Sequence, residues 1–249
     1  MEIRGKKAVV TGGANGIGRA VVERLVSAGA QAGVFDVDES ALSVLKKSFP
    51  DVFCRKCDLT RADDVECAVE EFFHHFHSID ILINCAGIVH NEPLLSFSLE
   101  GFKKHSVPMW DRVIATNLSA VFYTTLPVAQ KMLQERTQGL IINISSICAA
   151  GNAGQSAYSA AKAGVNALTV TLAKELGGLG IRVAGIAPGF ANTKTTINSI
   201  SDIVLDEWKR QTPLRRIATP EEIVDGVLFI VKNDFFHGRI LEIDGGLRI

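Results

Sequence analysis

Short apolar runs alternate with longer amphipathic stretches along the whole chain. Most of the apolar runs are continuous rather than interrupted by polar residues, which is typical of strands buried on both faces of a sheet. The pattern predicts strands at 7–11, 31–36, 52–57, 79–84, 140–145, 182–187 and 240–243. It predicts helices at 18–28, 39–49, 61–76, 110–135, 157–179 and 220–231.

The strand–helix–strand repetition predicts how these elements are arranged. Parallel strands joined by helices need right-handed crossovers, which place helices on both faces of one sheet. Because no internal repeat, low-complexity tract or linker interrupts the alternation, residues 1–249 are predicted to form a single domain. The expected fold class is α/β, with a doubly wound parallel sheet.

Two long segments, at 88–109 and 188–219, interrupt the alternation of strands and helices. Each of them follows a predicted strand. Loops of this length inside a compact domain are usually functional. Ligands of open α/β sheets bind beyond the carboxyl ends of the strands, which is where both segments begin. The two segments are therefore predicted to be substrate loops.

Composition and charge exclude several classes of protein. Hydrophobic residues make up 47% of the chain and charged residues 21%, which argues against disorder. The net charge of −1 gives no general attraction to nucleic acid. No apolar run approaches the roughly 18 residues of a membrane span, and the first residues lead directly into a strand. We therefore expect a cytoplasmic protein without a nucleic-acid or membrane partner.

The cysteines and the clustered histidines do not predict a metal site. Five cysteines without an export signal are expected to be reduced thiols, and Cys54 and Cys57 form a CxxC without a second cysteine pair. His74, His75 and His77 end a polar-faced helix, where solvated side chains are the favoured interpretation. No metal is predicted.

A glycine-rich turn, TGGANGIG at 11–18, joins the first predicted strand to the first predicted helix. Glycines allow a tight turn and a close approach to a pyrophosphate, and the helix N-terminus offers free N–H groups to the phosphates. The turn is predicted to bind a dinucleotide cofactor. The residues assigned to this contact are Gly12, Asn15, Gly16, Ile17 and Gly18.

An acidic residue follows the turn at the spacing of a dinucleotide site. Asp36 ends the second predicted strand, 18 residues after Gly18. Its carboxylate can accept hydrogen bonds from a ribose diol and would repel a 2′-phosphate, while Val37 supplies no cation for such a phosphate. NAD is therefore predicted in preference to NADP, with Asp36 and Val37 as contacts. The alternative is that Asp36 only forms a turn.

Tyr158 and Lys162 lie one helical turn apart, so their side chains share one face of the fifth predicted helix. A free phenol titrates near 10, and moving its pKa to about 7 needs roughly 4 kcal/mol. A neighbouring cation and an oxidised nicotinamide both favour the phenolate. The pair is therefore a candidate acid/base site, although a tyrosine and a lysine at this spacing also occur together on helix surfaces.

Taken with other motifs, these residues identify the chain as resembling the short-chain dehydrogenase/reductase family over essentially its full length. The resemblance implies a Rossmann-type, seven-stranded parallel sheet in the order 3-2-1-4-5-6-7, a nicotinamide cofactor and, commonly, a homotetramer. The matching residues are Thr11–Gly18, Asp58, Asn84-Cys85-Ala86-Gly87 in place of the usual NNAG, Asn117, Ser145-Ser146, Tyr158, Lys162, Pro188-Gly189, Thr193 and Asp244-Gly245-Gly246.

The resemblance also implies roles for these residues in interconverting an alcohol and a ketone. Tyr158 is the general acid/base, and Lys162 lowers its pKa and holds the nicotinamide ribose. A serine binds the substrate oxygen, and Asn117 positions a water in a proton relay through Lys162. The remaining cofactor contacts implied are Asp58 and Leu59 at the adenine, Asn84, Ala86 and Gly87 at the adenosine ribose, and Pro188, Gly189 and Thr193, with Thr193 as a partner of the carboxamide.

The identity of the catalytic serine stays open. The family's usual spacing to the tyrosine selects Ser145, whereas alignment from the preceding strand selects Ser146 and places a deletion in the following loop. Loops absorb deletions more readily than strands, which favours Ser146. Cys85 is a small apolar substitution in the NNAG motif to which we assign no chemistry.

Family branches suggest candidate substrates. The long 88–109 segment, the NCAG motif and the ending DGGLRI at 244–249 are most similar to 3-hydroxyacyl-thioester and hydroxysteroid dehydrogenases. The GNAGQ segment at 151–155 is more similar to 3-oxoacyl-carrier-protein reductases, which usually prefer NADPH, so Asp36 counts against them. A catalytically idle NAD-binding regulator is a further alternative, which the retained Tyr158, Lys162 and Asn117 disfavour.

Overall fold

A seven-stranded parallel sheet forms the centre of the protein. The computed structural model describes residues 1–98, 101–193 and 202–248. The sheet consists of β1 (Lys7–Thr11), β2 (Gln31–Asp36), β3 (Phe53–Lys56), β4 (Ile81–Asn84), β7 (Leu140–Ile144), β8 (Arg182–Pro188) and β9 (Ile240–Ile243). Its spatial order is β3-β2-β1-β4-β7-β8-β9, and every pair is parallel. With the separate hairpin strands β5 (Leu95–Ser98) and β6 (Gly101–Lys104) left out of the count, this is the predicted order 3-2-1-4-5-6-7, so the predicted Rossmann-type fold is confirmed.

Helices cover both faces of the sheet. The described α-helices are α1 (Gly16–Ser27), α2 (Glu39–Ser48), α3 (Ala62–Phe76), α4 (Val107–Ile114), α5 (Ala120–Gln134), α6 (Ser156–Leu176), α7 (Asp202–Gln211) and α8 (Pro220–Lys232). One core cluster joins the sheet to α1, α2 and α8, and a second joins its other face to α3, α5 and α6. The continuous apolar strands predicted this double burial, because each strand packs against helices on both sides.

The fourth predicted helix is longer than expected and is interrupted. It begins at Val107 rather than at 110, because Ser106 accepts a hydrogen bond from the Met109 amide and Pro108 occupies the first turn, where its missing N–H costs nothing. A π-helical turn at Ala115–Ser119 then separates α4 from α5. Such turns occur frequently at functional sites.

The two segments predicted as loops contain regular structure, so that part of the prediction is wrong. The 88–109 segment contains an antiparallel hairpin of β5 (Leu95–Ser98) and β6 (Gly101–Lys104), and 188–219 contains α7. Hairpin strands of four residues leave little periodic signal, and Phe97 and Phe102 pack against each other on an exposed face rather than in the core. Residues 99–100 and 194–201 of these segments, and Ile249, lie outside the described residues.

Within the described ranges, no helix combines the length and the apolar character that a membrane crossing requires. The cytoplasmic location stays a prediction.

Candidate active site

The glycine-rich turn brings β1, β4 and the segment after β8 together. Gly12 has a φ of 64°, and a Cβ there would lie 2.6 Å from the Cα of Ala86, which leaves room only for glycine. A Cβ on Gly16, at φ 55°, would lie 3.8 Å from the Thr193 methyl group. The backbone that leaves β8 therefore lies close to the turn.

The N-terminus of α1 retains donors that a phosphate needs. Asn15 precedes the helix, but its side chain makes no capping bond to the first turn and instead donates to Asp38 at 3.3 Å. First-turn N–H groups of a helix have no partner inside the helix, and the helix dipole favours an anion there. The turn thus fits the pyrophosphate of a dinucleotide.

Asp36 lies at the end of β2, beside this turn. One carboxylate oxygen accepts a hydrogen bond from the Ala14 amide at 3.1 Å and the other accepts one from the Asp38 amide at 3.0 Å. Asp36 therefore does form turn contacts, as the alternative interpretation held. Each oxygen still has acceptor capacity for a ribose hydroxyl, since a carboxylate accepts about four hydrogen bonds. Val37 beside it is 67% exposed.

The other predicted cofactor residues border the same end of the sheet, with one exception in side-chain direction. Asp58 follows β3 and accepts two hydrogen bonds from Thr60, and Leu59 is buried. Asn84, at the end of β4, is buried, and its amide nitrogen donates to Thr125 at 3.1 Å and to Asn143 at 2.9 Å. Its amide oxygen is buried without a hydrogen-bond partner among the described residues.

Pro188 ends β8, and the Gly189 amide donates to the Ile243 carbonyl at 2.8 Å. A Cβ on Gly189 would lie 2.8 Å from the Cα of Asp244, so the DGG motif at 244–246 packs directly against this position. Pro188 and Gly189 therefore help to hold in place the segment that carries Thr193 to the glycine-rich turn.

Lys162 is buried beneath the tyrosine one turn earlier on α6. Its ammonium donates to the Ile144 carbonyl at 2.7 Å and lies 5.8 Å from the centre of the Tyr158 ring. The same nitrogen is 3.8 Å from the position of a Cβ on Gly87. The predicted Tyr158–Lys162 pair is thus an interior pair facing the end of β4 and not a surface feature.

Asn117 occupies the π-helical turn and is fully buried. Its amide oxygen accepts from the Ile88 N–H at 2.7 Å, and its amide nitrogen donates to the Ile88 carbonyl, also at 2.7 Å. The oxygen lies 3.1 Å from the Cβ position of Gly87. Asn117 therefore holds the chain where it leaves β4, beside the Lys162 ammonium.

The structure separates the two candidate serines. The Ser146 side chain lies beside the Tyr158 hydroxyl, where it favours the phenolate, and the Ser146 hydroxyl accepts a hydrogen bond from the Cys148 amide at 3.1 Å. The buried Ser145 hydroxyl instead donates to the Lys162 carbonyl at 3.3 Å. Only Ser146 therefore shares the neighbourhood of the phenol hydroxyl, as expected if the loop after β7 has lost a residue.

Burial sets the protonation of the pair. It raises the pKa of Tyr158 to about 12, opposed by the neighbouring Ser146 side chain, and it lowers the pKa of Lys162 to about 8. The expected lowering of the phenol pKa by Lys162 is not found, because desolvation disfavours the charged form of each side chain. At neutral pH the pair holds both protons, and the first is lost near pH 8. Burial also raises the pKa of the Cys85 thiol to about 12, so it stays neutral.

A cavity of about 310 Å³ lies between the 88–109 segment, the loop before α6 and α7. Its polar lining is tied together: the Gln155 amide donates to the Asn91 side chain at 2.6 Å. Phe190 and Trp208 stack with ring centres 3.8 Å apart. The sequence did not single out most of these residues, since side chains on irregular segments show no periodicity. The lining is formed by Asn91, Asn152, Ala153, Gln155, Phe190, Val204, Glu207, Trp208, Gln211, Leu247 and Arg248.

Comparisons with known proteins agree with this geometry. The sequence profile of the family described as short chain dehydrogenase matches residues 6–203. The chain is 35% identical to 3-oxoacyl-[acyl-carrier-protein] reductase FabG of Chlamydia muridarum, covering 97% of each chain. It is 34% identical to the (3R)-3-hydroxyacyl-CoA dehydrogenase of Homo sapiens, covering 98% of this chain and 96% of the relative. The crystal structure of gox2181 superposes with a TM-score of 0.90 at 30% identity, covering 98% of this chain and 97% of gox2181.

Proposed function

The chain belongs to the short-chain dehydrogenase family, and on that premise we propose that it interconverts a secondary alcohol and a ketone with NAD(H), through Tyr158 as general acid/base. The observation that carries the proposal is the arrangement of Ser146, Tyr158 and Lys162: the serine side chain lies beside the phenol, and the buried Lys162 ammonium lies 5.8 Å from the centre of the phenol ring. An idle scaffold would not need this arrangement, and the intact constellation disfavours a purely regulatory role.

When bound, a nicotinamide dinucleotide supplies or accepts the hydride. In ketone reduction, Tyr158 gives its proton to the substrate oxygen, and the Ser146 hydroxyl stabilises the charge that develops on that oxygen. The charged Lys162 then stabilises the phenolate that remains. In alcohol oxidation the same groups act in reverse, so Tyr158 must first lose a proton, which a neutral Lys162 can accept.

We propose a 3-hydroxyacyl thioester as the substrate, with a hydroxysteroid-like alcohol as the alternative within the same site. The human 3-hydroxyacyl-CoA dehydrogenase and the bacterial 3-oxoacyl-carrier-protein reductase support an acyl thioester, and the cavity beside Gln155 offers both an aromatic wall at Trp208 and polar groups. The 35% identity to a FabG supports a second candidate function, reduction of a 3-oxoacyl-carrier protein. Asp36 disfavours this second function, because such reductases usually prefer NADPH and the Asp36 carboxylate would repel its 2′-phosphate.

The proposal is tested with a panel of secondary alcohols, hydroxysteroids and 3-hydroxyacyl thioesters with NAD⁺, followed by the absorbance of reduced nicotinamide. We expect turnover of 3-hydroxyacyl-CoA to exceed that of the other classes. Preference for a hydroxysteroid would identify the alternative substrate, and exclusive activity on an acyl-carrier-protein thioester with NADPH would favour the second function. Absence of turnover across the panel, with NAD⁺ bound, would contradict the proposal.

The cofactor prediction is that NAD(H) supports a kcat/KM at least about tenfold higher than NADP(H). Two unit charges 4 Å apart repel by about 1 kcal/mol in water and more in a partly buried site, and 1.4 kcal/mol is tenfold. Asp36→Asn should narrow the ratio, because it removes the charge and keeps an acceptor for the Ala14 amide. Asp51→Ala, on an exposed turn, is the control. Equal kcat/KM for both cofactors in the wild type would disprove the assignment.

The assembly prediction is a homotetramer. Apolar side chains on the outer faces of α5 and α6 are exposed in the single chain, among them Phe122, Leu126 and Val170. Pairing such faces across two-fold axes would bury them. We also expected the apolar residues near the C-terminus to take part in this pairing, but Leu247 is buried within the chain, and Leu241 and Ile243 are half-buried. Light scattering at micromolar concentration should give the mass of four chains, and a single 26.8 kDa chain would contradict the prediction.

A further inference from the structure

The 88–109 segment assembles a cluster that the reaction does not use. His90 and Glu92 precede the β5–β6 hairpin and His105 follows it, so the hairpin closes the three side chains onto one another. The His90 Nε2 lies 3.2 Å from a Glu92 carboxylate oxygen, and the His105 Nδ1 lies 3.7 Å from the same oxygen. One ligand atom from each residue lies within 4.8 Å of the other two.

The cluster is partly withdrawn from solvent and carries a fixed negative charge. The side chains of His105, Glu92 and His90 are 9%, 12% and 25% exposed. The Glu92 carboxylate also accepts a hydrogen bond from the Ser106 amide at 2.9 Å, which holds it in place. A carboxylate and two imidazoles are a ligand set that zinc prefers.

His105 has an unusual environment for a nearly buried imidazole. Its Nδ1 faces acceptors, the Glu92 carbonyl at 2.9 Å and the Glu92 carboxylate, whereas its Nε2 is buried with no hydrogen-bond partner anywhere in the described chain. Buried polar atoms are seldom left without a partner. If the imidazole proton moves to Nε2, the Nδ1 lone pair faces the carboxylate and is free to bind a cation.

We propose that His90, Glu92 and His105 bind a divalent transition-metal ion of the zinc type through Nε2, a carboxylate oxygen and Nδ1. Bonds of about 2.0–2.2 Å give a tetrahedral site an edge of about 3.4 Å, which the 3.2 Å and 3.7 Å separations approach. The two imidazole nitrogens lie within 4.8 Å of each other. Three protein ligands leave the fourth position to water.

Lys103 brings a charge that opposes a cation, since its ammonium lies 3.2 Å from the other Glu92 oxygen. Its side chain is 73% exposed, so it can move into solvent when a metal binds. Glu92 then exchanges one exposed ion pair, which contributes little, for a metal bond.

A metal bound at this site would stabilise the wall of the cavity of about 310 Å³ that Asn91 and Gln155 line. The Glu92 amide donates to the Gly154 carbonyl at 2.7 Å, and the neighbouring Asn91 accepts from Gln155, which lines the cavity. A metal that fixes Glu92 and the base of the hairpin would therefore fix this wall. The cluster could not be predicted from the sequence, because Glu92 and His105 are 13 positions apart.

The test is titration of the EDTA-treated full-length protein with Zn²⁺ by calorimetry. We expect one Zn²⁺ per chain at this site, with binding weakened by more than about tenfold in Glu92→Gln and in His105→Gln; even residues that merely support metal ligands have effects of that size. His90→Gln, at the most exposed ligand, is the variant of choice if the others do not fold. Co²⁺ in the wild type should show the visible absorption of a tetrahedral nitrogen–oxygen site.

Two matched controls separate this site from adventitious binding. The double variant His74→Gln/His75→Gln removes exposed histidines of α3, and Cys54→Ser removes a partly buried thiol, so both should bind Zn²⁺ like the wild type. No binding by the wild type, or equal affinity in the wild type and in all folded variants of the three ligands, would overturn the proposal.

Discussion

Replacing Tyr158 with phenylalanine is expected to lower kcat by about 10²–10⁴-fold while NADH binding stays nearly unchanged. The substitution keeps the ring that covers Lys162 and removes only the hydroxyl that exchanges a proton and lies beside Ser146. The loss should approach the upper end of the range, because the same oxygen helps to orient the substrate. Turnover and NADH fluorescence titration measure the two quantities.

The chain provides its own control for this variant. Tyr123 on α5 is the other tyrosine of the sequence, and it packs against the core cluster of α3, α5 and α6. Tyr123→Phe removes a hydroxyl outside the site and should retain kcat within about twofold, since few surface changes exceed ±0.5 kcal/mol. A Tyr158→Phe variant that keeps more than about a tenth of wild-type kcat would show that the proton does not pass through Tyr158.

Replacing Ser146 with alanine is expected to lower kcat by about 10²–10³-fold, the cost of one donor at a developing oxyanion. The hydroxyl lies beside the phenol, where the substrate oxygen must also lie to receive the Tyr158 proton. The loss should appear in kcat more than in KM, since the interaction strengthens in the transition state.

Ser145→Ala is the matched control for this variant, because it removes the same group one residue earlier in the chain. Its hydroxyl bonds the Lys162 carbonyl, so its loss should cost about 1 kcal/mol of stability and less than about tenfold in kcat. A large kcat loss in Ser145→Ala together with a small one in Ser146→Ala would reverse the assignment.

The sheet could be predicted from the sequence because its strands carry their own signal. The run at 140–144 is fully buried and is apolar except for Asn143, and most of β1 and β4 is likewise apolar and buried. Strand order is not a local property, and it followed from the resemblance rather than from the pattern. The glycine turn was predictable for a physical reason as well, since Gly12 has a positive φ and a contact that leaves no space for a Cβ.

Features that depend on contacts between distant segments could not be predicted. The β5–β6 hairpin exposes Phe97 and Phe102, so it lacks the pattern of a buried strand. The choice between Ser145 and Ser146 depends on how the loop after β7 turns toward α6, which spacing alone left open. The raised pKa of Tyr158 follows from burial, whereas the sequence showed only the neighbouring lysine.

The central claim is that Tyr158 and Lys162 transfer the substrate proton as a coupled pair, and the pH dependence of single-turnover rates in both directions tests it most directly. Because the pKa of Lys162 is lowered to about 8, its charge is lost as the pH rises through that value. Neutral Lys162 can accept the phenol proton, so alcohol oxidation should rise through pH 8, while ketone reduction should fall as the phenolate loses its stabilising charge.

In Lys162→Met, the pH at which the rate of alcohol oxidation increases should be higher, closer to the pKa of about 12 that burial gives the Tyr158 phenol. In the wild type we expect the rate of oxidation to rise and the rate of reduction to fall near pH 8. In the variant we expect the rise of the oxidation rate to occur at a higher pH. Rates independent of pH in the wild type, or an oxidation rate that rises at the same pH in both proteins, would contradict the coupled transfer.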